Sequence, residues 1–297
     1  MHRIETEFAG RTLVIETGKM AKQAAGSCLV RFGDTMVLAA VTVSKTVSTL
    51  PFFPLTVEYR AKTYAAGKIP GGFLKREGRP SDKEILAARG IDRSIRPLFP
   101  EGFKNEIQVF VTVISADQEN DADVLGVLAA STALAISPIP WDGPIAAVRV
   151  GQVEGNWILN PTFQQLEFST IDLFVTGSAD SIVMVEGGAL EISEKEVLDA
   201  LKIGQKGIKE LIGVAQKVIT KAAKPTMAWV KAERDAALTK RVEELAEKAM
   251  AKAINAKDKA GRSEGVAKVK ASVVEQLLAE FPDQGRAIGN EIEEVEY

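Results

Sequence analysis

Apolar and polar side chains alternate in short runs over the first sixty residues, the period-2 pattern of half-buried strands. Residues 3–8 and 11–16 flank Ala9-Gly10, and residues 27–32 and 35–44 flank Gly33-Asp34, so two antiparallel hairpins are predicted. A further strand is predicted over 52–59, where β-branched and aromatic residues concentrate. Residues 61–80 break the pattern. Gly67, Pro70, Gly71, Gly72, Gly78 and Pro80 make a long loop there, and long loops inside compact domains favour function over mere connection.

The period then changes to that of helices. Ser81, followed three residues later by Glu84, is a capping box that predicts a helix from 82 to about 95, stopped by Pro97. Residues 107–116 read as a strand, and 121–137 as a mostly buried helix closed by Pro138 and Pro140. A hairpin is predicted over 146–153 and 156–159, then buried strands over 171–176 and 181–186. A long helix follows over 193–221, with Glu194 and Glu196 at its positive end. Strand signals stop after Lys224-Pro225. Amphipathic helices are predicted over 231–256 and 265–281, the first with Val242, Leu245, Ala249 and Ala253 on one face, and the acidic end from Glu291 reads as having no closing element. The expected fold class is α+β over 1–224, followed by a small all-α domain over 225–297.

Composition narrows the chemistry. With 46% hydrophobic and 26% charged residues the chain has the balance of a soluble globular protein. It has no run of strongly apolar residues long enough for a membrane span and no apolar segment at its start, so a cytoplasmic protein without a membrane partner is expected. A single cysteine, Cys28, excludes an internal disulfide and a cysteine zinc site, and a single histidine, His2, excludes a His-rich metal site. Chemistry would fall to Asp, Glu, Lys, Arg, Ser, Thr or backbone groups.

The net charge of -3 hides an asymmetry. Residues 60–104 hold eleven Lys/Arg against five Asp/Glu, a balance of +6, whereas 105–160 hold seven acids and one base, Arg149. A basic segment in an acidic protein points to a local polyanion site. Within it the loop presents Phe73, Lys75, Arg76 and Arg79, and the following helix places Arg89 and Arg93 at i and i+4, with Arg96 continuing that face. Aromatic stacking combined with cations suits single-stranded nucleic acid. The plainer reading is a solvated charged loop, with Glu84 and Asp92 pairing the arginines. Gly72 and Gly78 are not followed by the Gly-Lys-Ser/Thr of a P-loop. Asp117, Glu119, Asp121 and Asp123 fail the calcium-loop pattern at Ala122 and Leu128, and read as an acidic turn capping a helix at Asp121.

Tyr64-Ala-Ala-Gly-Lys-Ile-Pro-Gly-Gly-Phe-Leu-Lys-Arg-Glu-Gly-Arg-Pro-Ser81 and Ile91-Asp-Arg-Ser-Ile-Arg-Pro-Leu-Phe99 closely resemble the first catalytic-core repeat of the bacterial polynucleotide phosphorylases. Phe52-Phe-Pro-Leu-Thr-Val-Glu-Tyr59 and Gly143-Pro-Ile-Ala-Ala-Val-Arg-Val-Gly151 resemble it too, and the likeness runs through the helical domain. The resemblance implies an RNase PH-like domain followed by that family's all-helical domain. It implies 3'-to-5' phosphorolysis of RNA, in which inorganic phosphate attacks the terminal phosphodiester and releases nucleoside diphosphates, with Mg2+ as cofactor. It also implies a ring-shaped homotrimer threaded by RNA, and an RNA-degradation complex with an endoribonuclease and a helicase. The family's constriction loop of two aromatics and two cations matches Phe73, Leu74, Lys75 and Arg76, and its helix arginines match Arg89 and Arg93. Leu74 replaces an aromatic, Ser94 a proline, and Gly90 a larger apolar residue.

The same resemblance places the phosphate and metal sites in a second repeat, followed by KH and S1 domains. That repeat's serine-rich phosphate stretch corresponds here to residues 119–123. Its D-x5-D-x-K pattern corresponds to Leu166, Asp172 and Phe174, where Asp172 is expected to satisfy local backbone groups. The chain is therefore expected to guide RNA and build the ring without catalysing phosphorolysis itself. A free-standing, non-catalytic RNA-binding or ring-assembly module is the alternative, and a small-molecule phosphate-binding protein a third reading.

Overall fold

The computed structural model describes residues 1–50, 52–229 and 235–296, and divides into two compact units, 1–230 and 231–297. The first unit holds two sheets. The six-stranded one comprises β1 (His2–Phe8), β2 (Arg11–Thr17), β3 (Gly26–Phe32), β4 (Thr35–Val47), β5 (Leu55–Ala61) and β6 (Asn105–Ser115), in the order β1-β2-β3-β4-β6-β5. All pairs are antiparallel except β5 with β6, where Leu55 lies opposite Ile107. The crossover from β5 to β6 carries the long loop and helix α1 (Asp82–Ile95). The four-stranded sheet has the order β10-β9-β7-β8, from β7 (Ala146–Val153), β8 (Asn156–Leu159), β9 (Ile171–Gly177) and β10 (Ile182–Ala189).

Helix α2 (Asp123–Ala135) packs on β3 and β4 of one sheet and on β7 of the other. Every residue from Val124 to Leu134 is buried, which explains why the segment is apolar all round rather than striped. Contact with β3 is close enough that a Cβ on Gly26 would lie 2.0 Å from the Ala133 carbonyl oxygen, so only glycine fits there. Helix α4 (Glu194–Ala222) packs on β1, β2, β7 and β9.

The predicted hairpins and the capping box at Ser81 are present, and Ser193 with Glu196 forms a second such box at the start of α4. Several boundaries move. The strand expected from 52 starts at Leu55, because Phe53 stacks in a ring cluster with Phe99 and Phe103 instead. Strand β10 is an edge strand with mostly exposed side chains, not a buried one. A short helix, α3 (Phe163–Glu167), was unexpected and is closed at its start by a Thr162–Gln165 capping box. Residues beyond Lys224 still pack on the first unit: Met227 N–H donates to the Pro138 carbonyl at 2.7 Å, and Trp229 meets Phe103 edge-on at 5.7 Å.

Among the described residues the second unit is three helices, α5 (Ala236–Ile254), α6 (Lys259–Glu280) and α7 (Gly285–Glu296). The beginning of the helix predicted from 231 lies outside the described residues. The buried face of α5 is Leu238, Val242, Ala246 and Met250 at i+4 spacing, one position round from the face read in the sequence, with Ala249 exposed. Helix α6 starts earlier than expected because Asp258 caps it through Gly261 N–H. The acidic end does form a closing element, since α7 buries Ile288 and Ile292.

The turn between β6 and α2 is organised by Asp117, not capped at Asp121. The Asp117 carboxylate accepts the backbone N–H groups of Glu119 and Asn120 at 2.9 Å each, the Asn120 side-chain amide at 2.6 Å and the Thr35 hydroxyl at 2.9 Å. Burial opposes ionisation of this carboxyl, but these donors outweigh it and hold the pKa at about 2. A carboxyl whose folded pKa is depressed contributes stability above its unfolded pKa and loses it as pH falls through the folded value. Asp117→Ala should therefore cost about 1–3 kcal/mol at neutral pH by leaving these donors unsatisfied. The gap between the two proteins should close between about pH 4 and pH 2, as read by chemical denaturation across that range.

Candidate nucleic-acid interface

The loop between β5 and α1 begins with a 3-10 turn over Thr63–Ala66, fixed to the end of β6 by Ala116 N–H donating to the Ala65 carbonyl at 3.0 Å. Beyond Lys68 the chain leaves the body of the unit. Phe73 is 99% exposed and Leu74 68%, so Phe73 does not pack against its own loop. Lys75 has φ +52° and donates its N–H to the Gly72 carbonyl at 3.0 Å, a tight turn that sets Phe73 at the apex. Lys75, Arg76 and Arg79 are exposed beside it.

Helix α1 follows. Arg89 and Arg93 are exposed one turn apart, and both line a cleft of about 1440 Å3 bounded by Tyr59 and Arg60 of β5, Pro80 at the end of the loop, and Val183 and Glu186 of β10. The two carboxylates expected to pair with them, Asp92 and Glu84, are committed elsewhere. Asp92 takes Arg96 as a two-pronged pair at 2.8 and 2.7 Å, and Arg96 also donates to the carbonyls of Phe53 and Leu55. Glu84 accepts the N–H groups of Ala61 at 2.9 Å and Ser81 at 2.7 Å. Among the described residues neither Arg89 nor Arg93 has a carboxylate within ion-pair distance. Arg96 is thus a structural residue, and the other two remain available.

The positions that the resemblance set against a D-x5-D-x-K pattern lie in a different corner. Leu166 sits on α3, and Asp172 and Phe174 on β9. Asp172 does not serve local backbone groups. Its carboxylate receives Nη1 of Arg149 at 2.6 and 2.8 Å. Nη2 of the same guanidinium bonds Asp123 and lies 3.7 Å from Asp121, which also takes Lys83 at 3.0 Å. Arg149 is only 14% exposed and stacks over Phe174 at 5.8 Å. Burial disfavours its charge, but Asp123, Asp172 and Asp121 together raise its pKa above the ordinary arginine value. Burial, then the like charge of Asp121, pushes the Asp123 carboxyl up to about 6 against the pull of Arg149.

Neither Mg2+ nor phosphate fits this corner. The three carboxylates already share one guanidinium, Leu166 offers no ligand, Phe174 no charge, and the acids of 119–123 would repel an anion. Gly90 on α1 lies beside Phe174: a Cβ there would meet the ring at 3.7 Å, an ordinary contact, so the packing does not require glycine at this position. The buried Ser94 hydroxyl is satisfied by the Gly90 carbonyl at 2.6 Å.

Three comparisons bear on this arrangement. Residues 9–140 match the model of the 3' exoribonuclease family, domain 1, and 143–207 that of the same family's domain 2. Residues 237–297 match the polyribonucleotide nucleotidyltransferase RNA binding domain. A polyribonucleotide nucleotidyltransferase of Gemmatimonas aurantiaca is 66% identical over 297 residues, covering 100% of this chain and 41% of that protein. One from Thermus thermophilus is 53% identical over 232 residues, 78% of this chain and 32% of its own. One from Geobacillus kaustophilus is 47% identical over 278 residues, 94% and 38%. The chain thus spans about two-fifths or less of the length of these relatives. Among solved structures, rice (Oryza sativa) Rrp46 is similar with a TM-score of 0.58 at 16% identity, covering 69% of this chain and 94% of that one, a likeness of fold.

The Arg149 corner is the part of this arrangement most sensitive to charge. Arg149→Met should cost about 3 kcal/mol at pH 8, because it leaves the enclosed Asp123 carboxylate without a cation, while Asp121 keeps Lys83 and Asp172 is partly exposed. The loss should shrink at pH 5, where Asp123, already raised to about 6, takes up a proton. Urea denaturation at the two pH values reads the difference, and Asp123→Asn added to Arg149→Met should recover part of it.

Proposed function

Because the chain belongs to the polyribonucleotide nucleotidyltransferase family, we propose that it guides single-stranded RNA within a phosphate-dependent 3'-to-5' exoribonuclease. The observation that carries this reading is the fully exposed Phe73 beside unneutralised Lys75, Arg76 and Arg79, with Arg89 and Arg93 along the cleft that opens at Pro80. Phe73 stacks on a base, which any base accepts, and the cations follow the phosphates. Phosphorolysis itself, with phosphate as co-substrate and Mg2+ as cofactor, belongs to another part of the enzyme, since the Arg149 corner suits neither group. A cytoplasmic homotrimer, joined to an endoribonuclease and a helicase in RNA degradation, completes the proposal. The match of 237–297 to an RNA binding domain supports the RNA assignment and gives no support to a binder of small phosphates.

Binding of a single-stranded oligo(A) to the chain should weaken as salt rises, because neutralised phosphates release counterions. Lys75→Ala with Arg76→Ala should cost about 1–3 kcal/mol and lower the salt slope by about one to two. Phe73→Ala should cost about 1–3 kcal/mol while Phe73→Tyr stays near neutral. Unchanged affinity in the double variant at low salt would remove the loop from the RNA path.

Catalysis gives a second test. Residues 1–297 incubated with poly(A), phosphate and Mg2+ should release no nucleoside diphosphate above background, since losing even one electrostatic donor typically costs about a hundred- to a thousandfold in rate. Turnover abolished by Asp172→Asn would place a working site in this chain.

A further inference from the structure

Glu77 is the only acid among residues 62–81, against five cations, Lys62, Lys68, Lys75, Arg76 and Arg79. In a loop that meets a polyanion, a carboxylate next to Arg76 opposes binding through like-charge repulsion. Its position has another rationale. One oxygen, Oε1, accepts both the backbone N–H of Thr63 at 3.0 Å and the Thr63 hydroxyl at 2.7 Å. Thr63 is itself fastened: its carbonyl accepts Lys68 N–H at 3.0 Å, and its turn is tied to the end of β6 through Ala65 and Ala116. The Glu77–Thr63 contact therefore closes the base of the loop against the body of the unit. Outside it, Glu84 ties the two ends again by holding Ala61 and Ser81. What remains is the arc from Ile69 to Arg76, which among the described residues is crossed only by the turn bond from Lys75 to Gly72.

We infer that Glu77 is a positioning residue, a latch whose bond to Thr63 holds the Phe73–Arg76 arc in the shape that receives RNA. The inference rests on the RNA reading above. A closed base shortens the free loop and spares the strand part of the entropy of ordering it. The carboxylate then helps binding by geometry although its charge opposes it, and this conflict of sign makes the latch testable.

Glu77→Ala and Glu77→Gln remove the same charge, but only Gln keeps an oxygen that can accept from Thr63. If charge alone mattered, both variants of the full chain would bind oligo(A) equally, and more tightly than the native chain. With the latch, Glu77→Gln binds at least as tightly as native, and Glu77→Ala falls about three- to tenfold below it, the size of losing one or two ordered groups. Thr63→Val, which changes no charge and keeps the backbone N–H, weakens binding by a smaller factor. Cleavage by a Lys/Arg-specific protease at Lys75 or Arg76 accelerates in Glu77→Ala but not in Glu77→Gln, with the melting temperature unmoved. Equal affinity of the Ala and Gln variants overturns the latch. If that equality appears while Lys75→Ala with Arg76→Ala still weakens binding, the latch alone falls and the RNA reading stands. If the double variant also binds normally, both fall.

Discussion

The guanidinium of Arg149 is the interaction on which the geometry of the first unit turns. It stands on β7 and reaches Asp121 and Asp123 at the start of α2 and Asp172 on β9. Helix α2 packs on the six-stranded sheet as well as on β7, so the cluster pins the element shared by both sheets. Lys83 extends the network to α1 through Asp121. The helix that carries Arg89 and Arg93 is thus located by a charge cluster at its first turn and by apolar contact along its buried side, where Ile91 and Ile95 are fully enclosed. Taking several charges out of water is worthwhile only when the geometry satisfies them, and three carboxylates around one forked cation come close to doing so.

The basic segment follows the opposite rule. Three of its five acids are committed to backbone or to a structural partner: Asp92 to Arg96, Glu84 to Ala61 and Ser81, Glu77 to Thr63. A balance of +6 over 60–104 need not mean an exposed positive surface, because interleaved acids can pair the cations locally. Here Glu84 and Glu77 are spent on backbone N–H groups and Asp92 on Arg96, so Arg89, Arg93 and the loop cations remain facing outward. Binding potential in this region is therefore a property of hydrogen-bond geometry as much as of composition.

Much of this was legible in the sequence. Ser81 with Glu84 marked the start of α1 because a capping box is local, and Gly33-Asp34 marked its hairpin for the same reason. What escaped depended on distant partners. Phe53 reads as a strand residue until Phe99 and Phe103 close around it, and α7 reads as an acidic tail until Ile288 and Ile292 find the core of α5 and α6. Asp172 reads as an isolated acid until β7 brings Arg149 beside it. A signal for that pair did exist: Arg149 is the single base among seven acids between 105 and 160, in a stretch rich in buried strand and helix. A lone cation in such surroundings has few stable fates besides serving the acids.

The departures on α1 and β9 follow the same logic. Gly90 costs the helix about 0.5–1 kcal/mol in propensity. Phe174, where the resemblance implies a lysine in the catalytic repeat, lies against that glycine and under Arg149. A lysine there would bring a second cation to the group that Arg149 serves, and a metal ion would bring a third claim on the same oxygens. A guanidinium is permanently charged, held by its backbone, and presents donors but no open coordination position. It bridges Asp123 and Asp172 and stands near Asp121, which Lys83 also holds, and the negative charge that is left over keeps an anion out. A corner whose carboxylates are tied to Arg149 and Lys83 links β7, β9, α2 and α1, and on the proposed reading its task is to hold the arginines in place while the strand passes.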